Sequence, residues 1–217
     1  MECLADRYHV LGVDLPGFGR TQSPVGTPDV RALAEWLAAW LDETKTGAAV
    51  FVANSFGCQI IVELAKIDAP RVAGLVLNAP TMDPAHRTAF GQLIRVVADI
   101  PREPLALAWI VFLDYLRAGP LRLLATLRVA LADRIEEKLP DLATPTLVVT
   151  GRRDPVVTVK WASEVARLTG MSRPGAAGGS LAVVQTAAHA LPFDDPVTFA
   201  ALIHEFVARI ERDAVTA

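Results

Sequence analysis

The sequence predicts an α/β protein: a doubly wound, mostly parallel sheet carrying a helical insertion. Three observations carry that prediction. Short β-branched apolar runs alternate with longer segments whose apolar residues recur at helical spacing. Polar residues do not alternate within the short runs, which marks strands buried on both faces. One stretch, residues 82–142, breaks the alternation and holds only helix-like runs.

Taken in order, the strand candidates are residues 8–13, 49–52, 72–77, 146–149 and 181–184, each bounded by Gly, Pro, Asp or Asn. The first helix shows Val30, Leu33, Leu37 and Leu41 on one stripe with Ala34 and Ala38, and Thr27-Pro28 reads as its cap and first turn. Residues 56–67, 159–168 and 196–210 read as helices too, the last opened by Asp195-Pro196. Helices between successive parallel strands must cover both sheet faces. The patch Pro174-Gly175-Ala176-Ala177-Gly178-Gly179-Ser180 reads as a flexible loop before the last strand.

Within the insertion, Ile100-Pro101, Gly119-Pro120 and Leu139-Pro140 separate the helical runs. Its middle is apolar nearly all round and contains Trp109, Phe112 and Tyr115. It reads either as a buried helical subdomain or as a lid whose apolar underside lines a substrate pocket, with those three aromatics as candidate lining residues. The expected division is a core of residues 1–81 and 143–217 and a cap of residues 82–142.

Composition narrows the function classes. The chain has 217 residues, 52% hydrophobic, with a net charge of −3. No basic face is implied, so no nucleic-acid partner is expected. The mean hydropathy of +0.35 raises the question of a membrane. The longest apolar run, residues 105–113, is nine residues long, whereas a spanning helix needs roughly 20, so no membrane span is expected. Met1-Glu2-Cys3 lacks the start of a secretory signal, and Cys3 and Cys58 form neither a metal spacing nor a disulfide framework. A reducing, cytoplasmic setting is the expectation.

Candidate chemistry gathers where strands end. A strand runs into Ala53-Asn54-Ser55-Phe56-Gly57 and then a helix. Small residues on either side permit a sharp turn, and the serine hydroxyl then sits at a helix N-terminus, where free N–H groups favour developing negative charge. A simple helix-capping serine is the plainer alternative. Asp154 follows the run 146–149, and His189 follows the run 181–184. Either could be an ordinary turn residue, yet all three fall at carboxyl ends of strands, where open α/β sheets place their sites. They occur in the order nucleophile, acid, base. His9, His86 and His204 read as structural or solvated, Asp14 and Asp83 as weaker alternative acids, and Glu103 as a possible anchor for a substrate amino terminus.

This pattern resembles the α/β-hydrolase superfamily, over a stretch from about Tyr8 onward. The serine turn resembles its nucleophile elbow G-x-S-x-G, with Ala53 in place of the first glycine. Asp14-Leu15-Pro16-Gly17-Phe18-Gly19-Arg20-Thr21 is similar to the loop after the family's fourth strand, Asn78-Ala79-Pro80-Thr81 to the entry into its cap. The resemblance implies a catalytic triad of Ser55, His189 and Asp154, with the Phe56 N–H as an oxyanion donor and no metal or organic cofactor. It implies a small lipophilic ester-like substrate, with thioester, lactone and C–C bond hydrolysis left open. A homodimer is the oligomer to test for.

Against that family, the first three strands and a His-Gly loop with a second oxyanion donor are not found before Tyr8. Three expectations compete: a truncated chain begun at an internal methionine, a rearranged sheet in which the fourth and fifth strands pair directly, or a non-catalytic remnant. The last gives the alternative function, a pseudo-hydrolase that binds a ligand or partner.

Overall fold

The computed structural model describes residues 2–22, 24–172 and 178–216. Its sheet has four parallel strands in the order β1-β2-β3-β4, formed by Ala49–Asn54, Val72–Asn78, Thr146–Gly151 and Ser180–Val184. The helices are α1 (Glu2–Ala5), α2 (Val30–Glu43), α3 (Gly57–Ile67), α4 (Ala89–Asp99), α5 (Leu105–Ala118), α6 (Pro120–Ala132), α7 (Ile135–Lys138), α8 (Val159–Leu168), α9 (Leu191–Asp194) and α10 (Pro196–Thr216). Between β2 and β3 lie α4 to α7 and no strand, as the broken alternation predicts.

Both sheet faces are covered. Leu75, Leu77 and Val148 join α2, α3 and α8 in one core; Val76, Leu147 and Val149 join Leu191 and the Phe199–Ile203–Phe206 stripe of α10 in the other. Neighbouring strand residues therefore feed opposite cores, which explains why β2 and β3 read as continuous apolar runs.

Two expectations fail. Residues 8–13 form no strand, and β1 pairs only with β2, so the direct pairing of a fourth and fifth strand does not occur. A β-branched run needs a ladder partner to be a strand, and among the described residues none stands beside it. Tyr8 instead hydrogen-bonds His204 of α10, Oη to Nδ1 at 3.1 Å, while His9 is exposed. As the sheet edge, β1 is also less buried than expected, with Val52 41% exposed. The second failure is the α2 cap. Asp29, not Thr27, holds it by accepting the Ala32 N–H at 2.8 Å.

At the far end, Asp195 does cap α10, accepting the Thr198 N–H at 3.0 Å. The loop expectation at residues 174–180 falls largely outside the described residues. No helix among the described residues is long and apolar enough to cross a membrane.

Candidate active site

Ser55 occupies the turn between β1 and α3 with φ of +56°, a left-handed conformation that L side chains avoid at a cost of about 1 kcal/mol or more. The turn is held from three directions. The Ser55 N–H donates to the Asn78 carbonyl at the end of β2 (3.0 Å), the Cys58 N–H donates back to the Ser55 carbonyl (3.0 Å), and Asn78 Nδ2 donates to Asn54 Oδ1 (2.6 Å). Cys58 is fully buried, its thiol pushed up by burial and its Sγ directed at the Ala53 and Asn78 carbonyls. Space is also limiting: a Cβ on Gly57 would lie 3.2 Å from the Ala53 Cβ. Ala53 therefore fits the turn because position 57 is glycine. The Phe56 N–H, at the start of α3, makes no hydrogen bond among the described residues, as an oxyanion donor requires.

Asp154 lies in the loop after β3, its side chain entirely buried. Its Oδ1 accepts the N–H groups of Val156 (2.7 Å) and Val157 (2.9 Å), and its Oδ2 meets His189 Nδ1 at 2.9 Å. Two fixed N–H donors hold the carboxylate so that one oxygen aims at the imidazole. The loops of acid and base are also joined through the backbone: the Arg152 N–H donates to Val184 O and the Arg153 N–H to Ala187 O. Structure thus brings Asp154 and His189 together. No hydrogen bond joins Ser55 Oγ to His189 among the described residues, and hydrogen bonds of this kind are often long without substrate.

Burial opposes charging of His189, but the Asp154 hydrogen bond and the negative charges of Asp154, Asp99 and Glu103 outweigh it. The imidazole therefore titrates above its ordinary value. Asp99 and Glu103 were not legible as partners of the histidine. Asp99 ends α4 at 8% exposure, and Glu103 follows one turn later, its Oε1 accepting the Ala190 N–H at 3.0 Å. Burial and the charges of Asp99 and Asp194 push Glu103 up to about 7 against the lowering effect of the Ala190 N–H.

The expected lining residues fare worse. No residue of α5 is buried, and Trp109, Phe112 and Tyr115 are 62%, 50% and 49% exposed, so the buried-subdomain expectation fails for this helix. A helix apolar on all sides buries only the side that meets a neighbour, and α5 packs mainly on α6. Trp109 and Phe112 stack on each other, with centroids 5.6 Å apart. The described cavity, a shallow groove open to solvent, is lined instead by Phe56, Phe18, Leu33, Thr126, Val129 and Arg122 among others. It therefore opens beside the candidate oxyanion donor. Asp14 and Asp83 serve their own loops, accepting the N–H groups of Arg20 and Ala85. Among the described residues no three His, Cys, Asp or Glu side chains are grouped to hold a metal ion.

Solved structures share this architecture. A meta-cleavage product hydrolase from Pseudomonas fluorescens superposes with a TM-score of 0.73 at 21% identity, over 96% of this chain and 82% of that one. A thermophilic esterase from Thermogutta terrifontis gives 0.67 at 23% identity, over 96% and 83%. An N-acyl homoserine lactone degrading enzyme gives 0.71 at 25% identity, over 89% and 80%. Among curated proteins, the dihydrolipoyllysine-residue acetyltransferase component of the acetoin cleaving system of Cupriavidus necator is 36% identical over 81 residues, 37% of this chain. The match spans 21% of that relative's length. A sequence profile of the alpha/beta hydrolase family matches residues 2–202, and with the fold in agreement the chain belongs to that family.

Proposed function

We propose that the chain is a serine hydrolase in which Ser55 attacks a carbonyl carbon, His189 takes its proton and returns it to the leaving group, and Asp154 orients the imidazole. The Phe56 N–H would stabilise the oxyanion, and losing one such donor typically costs about 10²–10³ in rate. The observation that carries the reading is the Asp154–His189 pair at the carboxyl end of the sheet, where β1 also ends in the strained serine turn. No proton acceptor is needed beyond His189, and the imidazolium that forms is stabilised by a carboxylate already at 2.9 Å.

The substrate in this reading is a small, largely apolar acyl compound. Apolar walls beside Phe56, with Arg122 the charged member, support it. The similar structures include an esterase, a lactone-degrading enzyme and a meta-cleavage product hydrolase, so ester, lactone and C–C bonds are the classes to assay. Residues 82–142 act in this reading as a cap over a core of residues 1–81 and 143–217. Hydrolysis of p-nitrophenyl esters from acetate to octanoate tests it. Turnover that falls at least about 10³-fold in S55A and H189A supports the proposal. Turnover equal in wild type and S55A favours a binding module instead.

A further inference from the structure

Three consecutive residues of the histidine loop are each held by a different carboxylate. The Ala188 N–H donates to Asp194 Oδ2 (3.3 Å), His189 Nδ1 meets Asp154 Oδ2 (2.9 Å), and the Ala190 N–H donates to Glu103 Oε1 (3.0 Å). Asp194 belongs to α9, a few residues on, and Asp154 to the loop after β3. Glu103 alone comes from the helical insertion, directly after the turn Ile100–Arg102. The same insertion reaches the acid: Arg95 of α4 donates from Nη1 to the Pro155 carbonyl at 2.8 Å, one residue beyond Asp154. One short piece of insertion thus touches the residue after the acid and the residue after the base.

The histidine loop has no regular secondary structure between β4 and α9. Ala188 and Ala190 offer only methyl groups, so the backbone hydrogen bonds decide how the loop lies. Bonds to a charged acceptor are roughly twice as strong as neutral ones. We propose that Glu103 is a positioning residue for His189: it ties the helical insertion to the histidine loop, and with Arg95 on the acid loop it keeps acid and base in register. This rests on the hydrolase reading above. It makes the placement of the insertion a condition for catalysis.

Asp99 completes the arrangement. Its Oδ1 and the Oε2 of Glu103 are buried without a hydrogen-bond partner, and the negative charge of Asp99 helps push Glu103 up. The groups facing His189 are then Asp154 from the acid loop and Asp99 and Glu103 from the insertion; Arg102 faces Asp99, and Asp194 faces Glu103.

Wild type, E103A and E103Q, each carried through p-nitrophenyl butyrate kinetics and fluorophosphonate labelling of Ser55, test the assignment. E103A is expected to lose about 10- to 100-fold in kcat with KM nearly constant, because a misplaced general base costs rate rather than binding. E103Q keeps an oxygen acceptor for Ala190 and is expected to recover most of that loss. Its pH profile should begin to rise at lower pH, since one negative charge facing the imidazole is gone. Should E103A fail to fold, that shift in E103Q decides the question. Equal kcat and equal labelling rates in E103A and wild type overturn the positioning role, as does an E103Q profile identical to wild type. Absence of labelling in wild type itself would overturn the hydrolase reading instead, so the two failures are distinguishable.

Discussion

Gly151 and Ala187 approach so closely that a Cβ on the glycine would lie 2.3 Å from the Ala187 carbonyl oxygen, and 2.4 Å from that of Ala188. The end of β3 and the start of the histidine loop are therefore in backbone contact, with no room for a methyl group. A Gly151→Ala substitution must push the loop outward. Expected is a loss of about 100-fold in kcat/KM, with about 1–3 kcal/mol of stability lost to overpacking. Ester hydrolysis and thermal melting measure both, and a fully active G151A would contradict the account.

The strain at Ser55 yields a stability prediction independent of activity. At φ of +56°, glycine rests without steric cost and alanine does not. S55G should exceed S55A in unfolding free energy by about 0.5–1 kcal/mol, after allowing for glycine's greater freedom in the unfolded chain. Urea titration of the two variants checks this.

Proton uptake by His189 gives the pH dependence. General-base catalysis needs the neutral imidazole, and the surrounding carboxylates raise its titration, so the rising limb of kcat/KM should lie above the ordinary histidine value of 6.5. Removing one of those charges with D99N lowers the histidine's affinity for its proton, so the limb should move to lower pH. A kcat/KM profile from pH 5 to 9 shows the direction. For stability the sign for Glu103 is opposite to that of an ion-paired acid. Its carboxyl titrates near 7 rather than 4.5, so its contribution is full below about 4.5 and is lost as pH rises through 7. E103Q should flatten that part of the stability profile.

A fourth prediction concerns the far end of the insertion. Lys138 Nζ lies 2.6 Å from Glu63 Oε2 and also pairs with Asp133, and all three side chains are largely buried. Replacing Lys138 by Met leaves the buried Asp133 without a cation and Glu63 with only Arg31, 3.5 Å from its Oε1. About 3 kcal/mol of stability should be lost, more than for a surface ion pair, and the loss should shrink at low pH as the acids take up protons. Thermal melts at pH 4.5 and 7.5 measure both effects.

Much of the fold was legible because it rests on short-range signals. β2, β3, α8 and the start of α10 are where apolar runs, helical periodicity and Asp195-Pro196 put them. Residues 8–13 carry the same β-branched signal yet form no strand, since a ladder depends on a partner that local sequence does not contain. Asp154 and His189 were legible from their positions just after strands, and the structure joins them. Glu103 and Asp99 were not, because their role depends on how α4 lies against a loop some 87 residues away in sequence. Trp109, Phe112 and Tyr115 looked like pocket walls because aromatic residues on an apolar helix look alike whether they face a cavity or solvent. The signal for the described cavity lay elsewhere, in Phe56 beside the serine and in Phe18 of the loop before α2.

The central claim is that Ser55 is a nucleophile activated by His189. Its most direct measurement is the intact mass and peptide map of the protein after exposure to a fluorophosphonate at pH 7.5. The account predicts one adduct per chain, on Ser55, formed at least about 10³-fold more slowly in H189A and absent in S55A. No adduct on Ser55, or labelling equally fast in H189A, would contradict it.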